Sequence, residues 1–292
     1  MKIVTHNGKF HADEVFAVAT LLLIHEGNNV EVVRTRDTEI IDTGDIVVDV
    51  GGKYDPAKGR FDHHQKEGAG VRENGIPYSS FGIVWKEYGE RLCDSKSVST
   101  SIDKFLVEPM DAIDNGVNIR KFIMEDVSDY DIGDVINAFN PSWKEVTDRG
   151  TSFMEAVEVA KKILMREIVR TKDKEEGNAT VEKVYINSND KRIIVLENYL
   201  PWADVLRNYP EPLFVVYQNS DKSGWHVQTV RSDPHLFESR KNLPKAWGGK
   251  RDVELQETTG VSDATFCHKN LFLCVAKTKE GAIALAEKAL NA

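Results

Sequence analysis

The chain predicts an α/β protein of two domains, and three observations carry that expectation. Short β-branched runs alternate with helical stretches through the first half, a charged stretch from Lys172 to Asn178 interrupts the pattern, and strand-like runs dominate beyond it. A length of 292 residues is enough to bury two cores. The expected division is residues 1–150 as a domain with a mainly parallel sheet flanked by helices, 151–178 as a connecting helix and linker, and 179–292 as a smaller α/β domain with a mixed sheet.

The elements follow in order. Lys2 to Thr5 reads as a strand, and Asp13 to Glu26 as a helix that is apolar nearly all round and therefore buried. Val30 to Arg34 and Ile46 to Asp49 are β-branched runs separated by polar turns. Ser79-Ser80 is placed to cap a helix from Phe81 to Arg91, and a further helix from Ile102 to Ile113 stops at the turn Asp114-Asn115-Gly116. Ser152 and Glu155 have capping-box spacing and should open an amphipathic helix running to about Thr171, with Val157, Ala160, Ile163, Leu164 and Ile168 on one face. Arg192 to Glu197, Leu213 to Tyr217, Gly224 to Val230 and Leu271 to Ala276 then read as strands, before a last helix from Lys279 to Leu290.

Hydrophobic residues make up 41% and charged residues 29%, an ordinary soluble globular balance, and no apolar run reaches membrane-spanning length. Three cysteines, Cys93, Cys267 and Cys274, make an odd number without framework spacing, which points to a reducing cytoplasm. The net charge of −9 argues on its face against nucleic acid, but segregated charge weakens that argument. Between Arg231 and Arg251 six basic residues meet only Asp233 and Glu238. Gly248, Gly249, Lys250 and Arg251, beside Trp247, make a candidate phosphate-contacting loop, since backbone amides approach an anion closely at glycine. The competing reading is a solvated charged face. His268 is a candidate to bind phosphate or donate a proton, against a buried strand-end residue. Trp202, Trp225 and Tyr209 are candidates to stack on bases, against ordinary packing.

The chemistry concentrates near the N-terminus. His6, His11 and Asp13 follow the first strand, Asp49 closes another, Asp62-His63-His64 follows Phe61, and Asp111 and Asp114 end a helix. In an open α/β sheet such points converge on one rim. Imidazole and carboxylate together suit Mn²⁺, Zn²⁺ or Fe²⁺ better than Mg²⁺ alone. A pair of ions clamps the two reacting oxygens of a displacement at phosphorus and activates a water. Asp49 is suited to bridge them, Asp62 to orient a neighbouring histidine, and His64 to contact a phosphate oxygen or protonate the leaving group. Asp114, at the turn, is preferred over Asp111 as ligand. The bland alternative is a set of polar residues that merely end strands.

These segments resemble the DHH phosphoesterase superfamily, and more closely its melanocyte-proliferating-gene-like family, also described as metal-dependent protein hydrolases. The resemblance rests on residues 5–14, 49–52, 61–65, 79–82, 111–116 and 266–268, so it spans nearly the whole chain. It implies a dinuclear metal site with two Mn²⁺ (Mg²⁺ or Zn²⁺ as alternates) on His6, His11, Asp13, Asp49, His63 and Asp114. It also implies phosphate contact at His64 and a C-terminal substrate domain. The implied activity is phosphodiester hydrolysis, foremost an exonuclease on single-stranded RNA or short oligonucleotides. Many superfamily members carry Asp where His11 stands, and this chain lacks their Gly-Gly-Gly-His motif; Gly248, Gly249 and His268 stand nearest to it. Alternatives are a phosphatase acting on pyrophosphate or a dinucleotide, and a catalytically silent metal- or RNA-binding protein. No membrane partner is expected, and an oligomer is compatible with the sequence. Peptide hydrolysis is disfavoured, because there is no His-Glu-x-x-His helix.

Overall fold

The computed structural model describes residues 1–121, 127–233 and 238–292. Residues 234–237 of the basic stretch between Arg231 and Arg251 therefore lie outside the described residues. The chain divides into two compact units, Met1–Lys172 and Asp173–Ala292.

In the first unit β1 (Lys2–Thr5) leads through α1 (Ala12–Ile24) to β2 (Glu31–Arg34), and α2 (Thr38–Asp42) leads to β3 (Ile46–Val48). A short antiparallel pair, β4 (Tyr54–Asp55) and β5 (Arg60–Phe61), completes a sheet of order β2-β1-β3-β5-β4. β1, β2, β3 and β5 are parallel, as expected. Their register aligns the strand ends: Thr5 pairs with Arg34 and Val48, and Val48 with Phe61. The residues that follow these four, His6, Thr35, Asp49 and Asp62, therefore leave the sheet along one rim.

Under the sheet, α1 is buried along most of its length against α3 (Ser80–Cys93). Phe10, Phe16, Phe61, Phe81 and Phe153 are fully buried in this core, each contributing about 1.5–3 kcal/mol by leaving water. The expected single helix from Ile102 to Ile113 is broken in form. α4 (Lys96–Ile102) passes through a π-helical turn at Asp103–Val107 into α5 (Glu108–Asp114). The amide of Glu108 donates to Asp103 in that wide turn, and Pro109, which has no amide hydrogen, follows it immediately.

After α6 (Ile132–Asn137), α7 runs from Arg149 to Asn187, 39 residues without interruption. Two expectations fail here. The helix begins before Ser152, because the Asp148 carboxylate accepts from the amides of Gly150 and Thr151 and from the Thr151 hydroxyl. The stretch from Lys172 to Asn178, expected as linker, is helical, and Val181 and Tyr185 beyond it are buried in the second unit's core.

The second unit holds β6 (Ile193–Leu196), α8 (Ala203–Leu206), β7 (Phe214–Gln218), β8 (Trp225–Thr229), α9 (Asp252–Thr259), β9 (Ala264–Cys267), β10 (Leu273–Ala276) and α10 (Lys279–Asn291). Its sheet, of order β6-β7-β8-β10-β9, is mixed: β6 and β7 are parallel and the other pairs antiparallel. Alternation sorts its side chains by face. Phe214, Val216 and Val227 pack with α10, whereas Val215, Tyr217 and Ile194 pack with Trp202 and the end of α7.

Candidate metal centre

Asp49 stands at the middle of the rim. Its backbone is in the left-handed region (φ 57°), and its amide donates to Phe61 O at 3.0 Å. That turn sets the carboxylate between two imidazoles. Oδ2 lies 3.3 Å from His6 Nε2, and Oδ1 lies 3.3 Å from His63 Nε2. The Ser80 hydroxyl, from the first turn of α3, steadies Oδ1 at 2.9 Å. His6 Nδ1 is 2.9 Å from Asn7 O, so that nitrogen carries the proton and Nε2 faces the cluster.

From α1 come Asp13 and Glu14, buried at the helix start, with His11 as its N-cap. Glu14 accepts from the His11 amide and lies 2.8 Å from His6 Nε2. Asp13 is 1% exposed, yet neither of its oxygens has a hydrogen-bond partner. From the fourth segment Asp114 Oδ2 comes within 3.4 Å of His63 Nε2, and Asp13 Oδ2 lies 3.9 Å from the same nitrogen. His64 stands at the mouth, 63% exposed at the side chain, with Nδ1 2.8 Å from Asp62 Oδ1. The cleft above these groups encloses about 670 Å³, and Lys9 and Arg36 also line it.

Electrostatics report the same crowding. Burial, and then Asp49, Asp114 and Glu14, push the Asp13 carboxyl well above the usual carboxylate range. Burial opposes a charged His6, but hydrogen bonds to Asp49 and Glu14 override it and push the ring up to about 10. Burial likewise opposes an ionised Asp49, yet His6 and His63 hold it below its ordinary value. Four carboxylates crowd together here with too little positive charge of their own.

The residues fit divalent metal. Donor atoms of Asp49, His63 and His64, of His11, Asp13 and Asp114, of His6, His11 and Glu14, and of Asp13, Glu14 and Asp49 form four groups, each with its atoms within 4.8 Å of one another. The buried, unpartnered oxygens of Asp13 are the sharpest sign, because a carboxylate so placed needs a cation or a proton.

The structure brings His6, His11, Asp13, Asp49, His63, His64, Asp62 and Asp114 together. Asp111 is not among them. It is fully buried, accepts from the Ser79 amide and hydroxyl and the Gly82 amide, and pairs with Arg72 Nη2 at 2.7 Å. Its carboxylate thus caps α3 from outside. A Cβ at position 82 would lie 2.1 Å from an Asp111 oxygen, which explains the glycine there. Two participants escaped sequence reasoning. Glu14 reads as a first-turn acid, and Ser80 as a cap. Only their place beside His11 and after the rim strands could have marked them.

The second unit's candidates gather separately. The Gly249 amide donates to Cys267 O and the Cys267 amide to Lys250 O, both at 3.0 Å, which lays Gly248 to Arg251 beside β9, the strand that His268 follows. Arg251 lies 4.5 Å over the Phe266 ring. Trp247 is buried in the core, as is Trp202, and Tyr209 stacks on Tyr185 at 3.9 Å, so packing accounts for all three.

A parallel-sheet unit with imidazoles and carboxylates converging on its rim, joined in one chain to a mixed-sheet unit, defines a two-unit α/β protein with the donor set of a divalent-metal centre. The family model MYG1_exonuc, described as "Uncharacterised protein family (UPF0160)", matches residues 2–290, and the chain belongs to that family. A human protein named MYG1 exonuclease is 31% identical over 329 residues, covering 99% of this chain and 85% of its own. The MYG1 exonuclease of Mus musculus is 33% identical over 326 residues, 99% of this chain and 84% of the mouse one. The MYG1 protein C694.04c of Schizosaccharomyces pombe is 29% identical over 320 residues, 100% and 98% of the two chains.

Proposed function

We propose that this chain is a metal-dependent phosphodiester hydrolase of the DHH phosphoesterase kind, an exonuclease on single-stranded RNA or short oligonucleotides that works with two divalent ions, Mn²⁺ foremost. The observation that carries the reading is Asp49, whose two oxygens face two different imidazoles, as a carboxylate shared between two ions must. The relatives' name, MYG1 exonuclease, supports the choice of a nucleic-acid substrate.

His6, His11, Asp13, Asp49, His63 and Asp114 would hold the ions, with Glu14 fixing His6 and the His11 backbone. When bound, the ions supply an activated water and neutralise charge developing at phosphorus. His64, exposed at the mouth and held by Asp62, donates to a phosphate oxygen or to the leaving oxygen. Asp62 acts as its positioning residue: Oδ1 accepts from both the ring and the amide of His64. In the second unit, Gly248 to Arg251 and His268 are the candidate contacts for the strand. Three buried, unpaired cysteines support a reducing, cytoplasmic setting.

The test is hydrolysis of 5′- and 3′-labelled single-stranded RNA of increasing length, with Mn²⁺ and with chelator. Asp49→Ala and His63→Ala should each abolish turnover while circular dichroism stays native. Cleavage of pyrophosphate alone would leave a small-molecule phosphatase in place of the nuclease. Full activity in either variant would overturn the ligand roles.

A further inference from the structure

We propose that Lys9 and Arg36 form an anion clamp for the phosphate next to the one being cleaved, so that a strand end carrying a second phosphate is the preferred substrate. The inference rests on the phosphodiesterase reading of the metal centre, and it names a part of the substrate that this reading leaves unassigned.

Both cations line the cleft of about 670 Å³ together with His6, Asp49 and His64. Both are exposed, and among the described residues neither takes part in a hydrogen bond or an ion pair. The two acids of the same wall are engaged elsewhere. Asp49 lies between His6 and His63, and Asp62 accepts from the Gly52 amide and from the ring and amide of His64. Arg34, two residues before Arg36, is used differently, since its guanidinium donates to Gly8 O and Arg149 O.

Each of the two cations projects from a backbone tied on both sides. Before Lys9, Gly8 O accepts from Arg34; after it, the amide and carbonyl of Phe10 are both paired with Asn140. Before Arg36, the Thr35 amide donates to Thr5 O at 2.8 Å; after it, the Asp37 amide donates to the Thr35 hydroxyl. The Asp37 carboxylate accepts from the Glu39 amide and so caps α2 instead of pairing with Arg36. A fixed root beneath an uncommitted charge lowers the ordering cost of gripping a ligand.

Charge decides what they grip. Asp13, Glu14, Asp49 and Asp114 crowd the floor of the cleft. A pair of divalent ions offsets those carboxylates, which leaves Lys9 and Arg36 as the surplus positive charge. The ions and His64 serve the scissile phosphate, and a cleft of this size holds a nucleotide rather than a lone phosphate. A guanidinium fork beside an ammonium suits a further phosphate of the same strand.

The experiment compares three dinucleotides in Mn²⁺: ApA, and ApA with an added 5′- or 3′-phosphate. Hydrolysis gives kcat/KM, and calorimetry gives affinity for versions whose bridging oxygen is replaced by methylene. One phosphorylated form should be favoured over ApA by about tenfold or more in both readouts, the worth of one charge-assisted hydrogen bond. Lys9→Met and Arg36→Met should each reduce that preference, the double variant should abolish it, and Arg36→Lys should keep part of it. All should bind Mn²⁺ no more weakly than wild type, because a neighbouring cation has been neutralised or kept. With a short non-cleavable single strand, each Met variant should flatten the salt dependence of log affinity by about 0.7. Equal binding of all three dinucleotides by wild type would overturn the proposal. So would a preference and a salt slope that survive in the double variant. Binding with the expected preference but no hydrolysis would instead count only against the nuclease reading.

Discussion

Asn140 and Phe10, 130 residues apart, exchange two hydrogen bonds: the Phe10 amide donates to Asn140 Oδ1 at 3.0 Å, and Asn140 Nδ2 donates to Phe10 O at 2.9 Å. The side-chain amide thus behaves as a strand partner for the segment that carries His6 and His11. Arg34 holds the same segment from the other side, donating to Gly8 O at 3.0 Å with its guanidinium 4.5 Å from the Phe153 ring. The segment that carries these candidate ligands is thus held by groups that lie outside the cluster of donor atoms.

Asn140→Ala should therefore lower metal affinity by about 10- to 100-fold, the usual effect of losing an outer support, with folding retained. Mn²⁺ titration by calorimetry checks it. Unchanged affinity would show that the segment holds itself.

Asp13→Asn should separate stability from metal binding. In chelator the variant should melt no lower than wild type, because one crowded buried carboxylate is gone. With Mn²⁺ at 100 times the wild-type dissociation constant the order should reverse, since wild type then gains about 2.7 kcal/mol. Thermal melts with and without metal read both signs.

The pH dependence of the metal-free protein follows from His6. Its pKa in the fold is raised from 6.5 to about 10, so the stability it contributes is complete below 6.5 and is lost as pH rises toward 10. Melting temperature in chelator should fall across that window, and His6→Gln should flatten the slope. An unchanged slope in the variant would place the titration elsewhere.

Arg72→Met should cost about 3–5 kcal/mol, because it leaves the buried Asp111 carboxylate without its counter-charge. The double variant Arg72→Met/Asp111→Ala should recover part of that loss. Denaturant unfolding of the four proteins in this cycle measures the coupling.

Gly177→Ala should reverse the usual preference of helices for alanine. A Cβ at 177 would meet the Pro201 ring at 2.6 Å, so a destabilisation of about 1–3 kcal/mol is expected where an open helix would gain stability. A rise in melting temperature would refute the contact.

Much of the candidate centre was legible because donor groups that end strands need only the strands to be found. His6, Asp49 and Asp62 follow β-branched or apolar runs, and parallel register does the rest. What stayed hidden depended on partners distant in sequence. Asp111 and Asp114 look alike along the chain, and only the packing of α5 against α3 sends one to the Ser79 amide and the other to His63. Glu14 hid as an ordinary first-turn acid. The helicity of Lys172 to Asn178 was masked by a charged composition that suits solvent-facing helix and linker equally. The Ser152 capping pattern lost to a competing acceptor, Asp148, four residues earlier.

The left-handed backbone at Asp49 also sets fold against chemistry. An L-residue there costs roughly 1–2 kcal/mol relative to a relaxed conformation, and glycine would relieve that tension. Glycine at this corner would relax the backbone but leave His6 and His63 without the carboxylate between them. Under the proposed metal role, aspartate stands at this corner to hold an ion rather than to ease the turn.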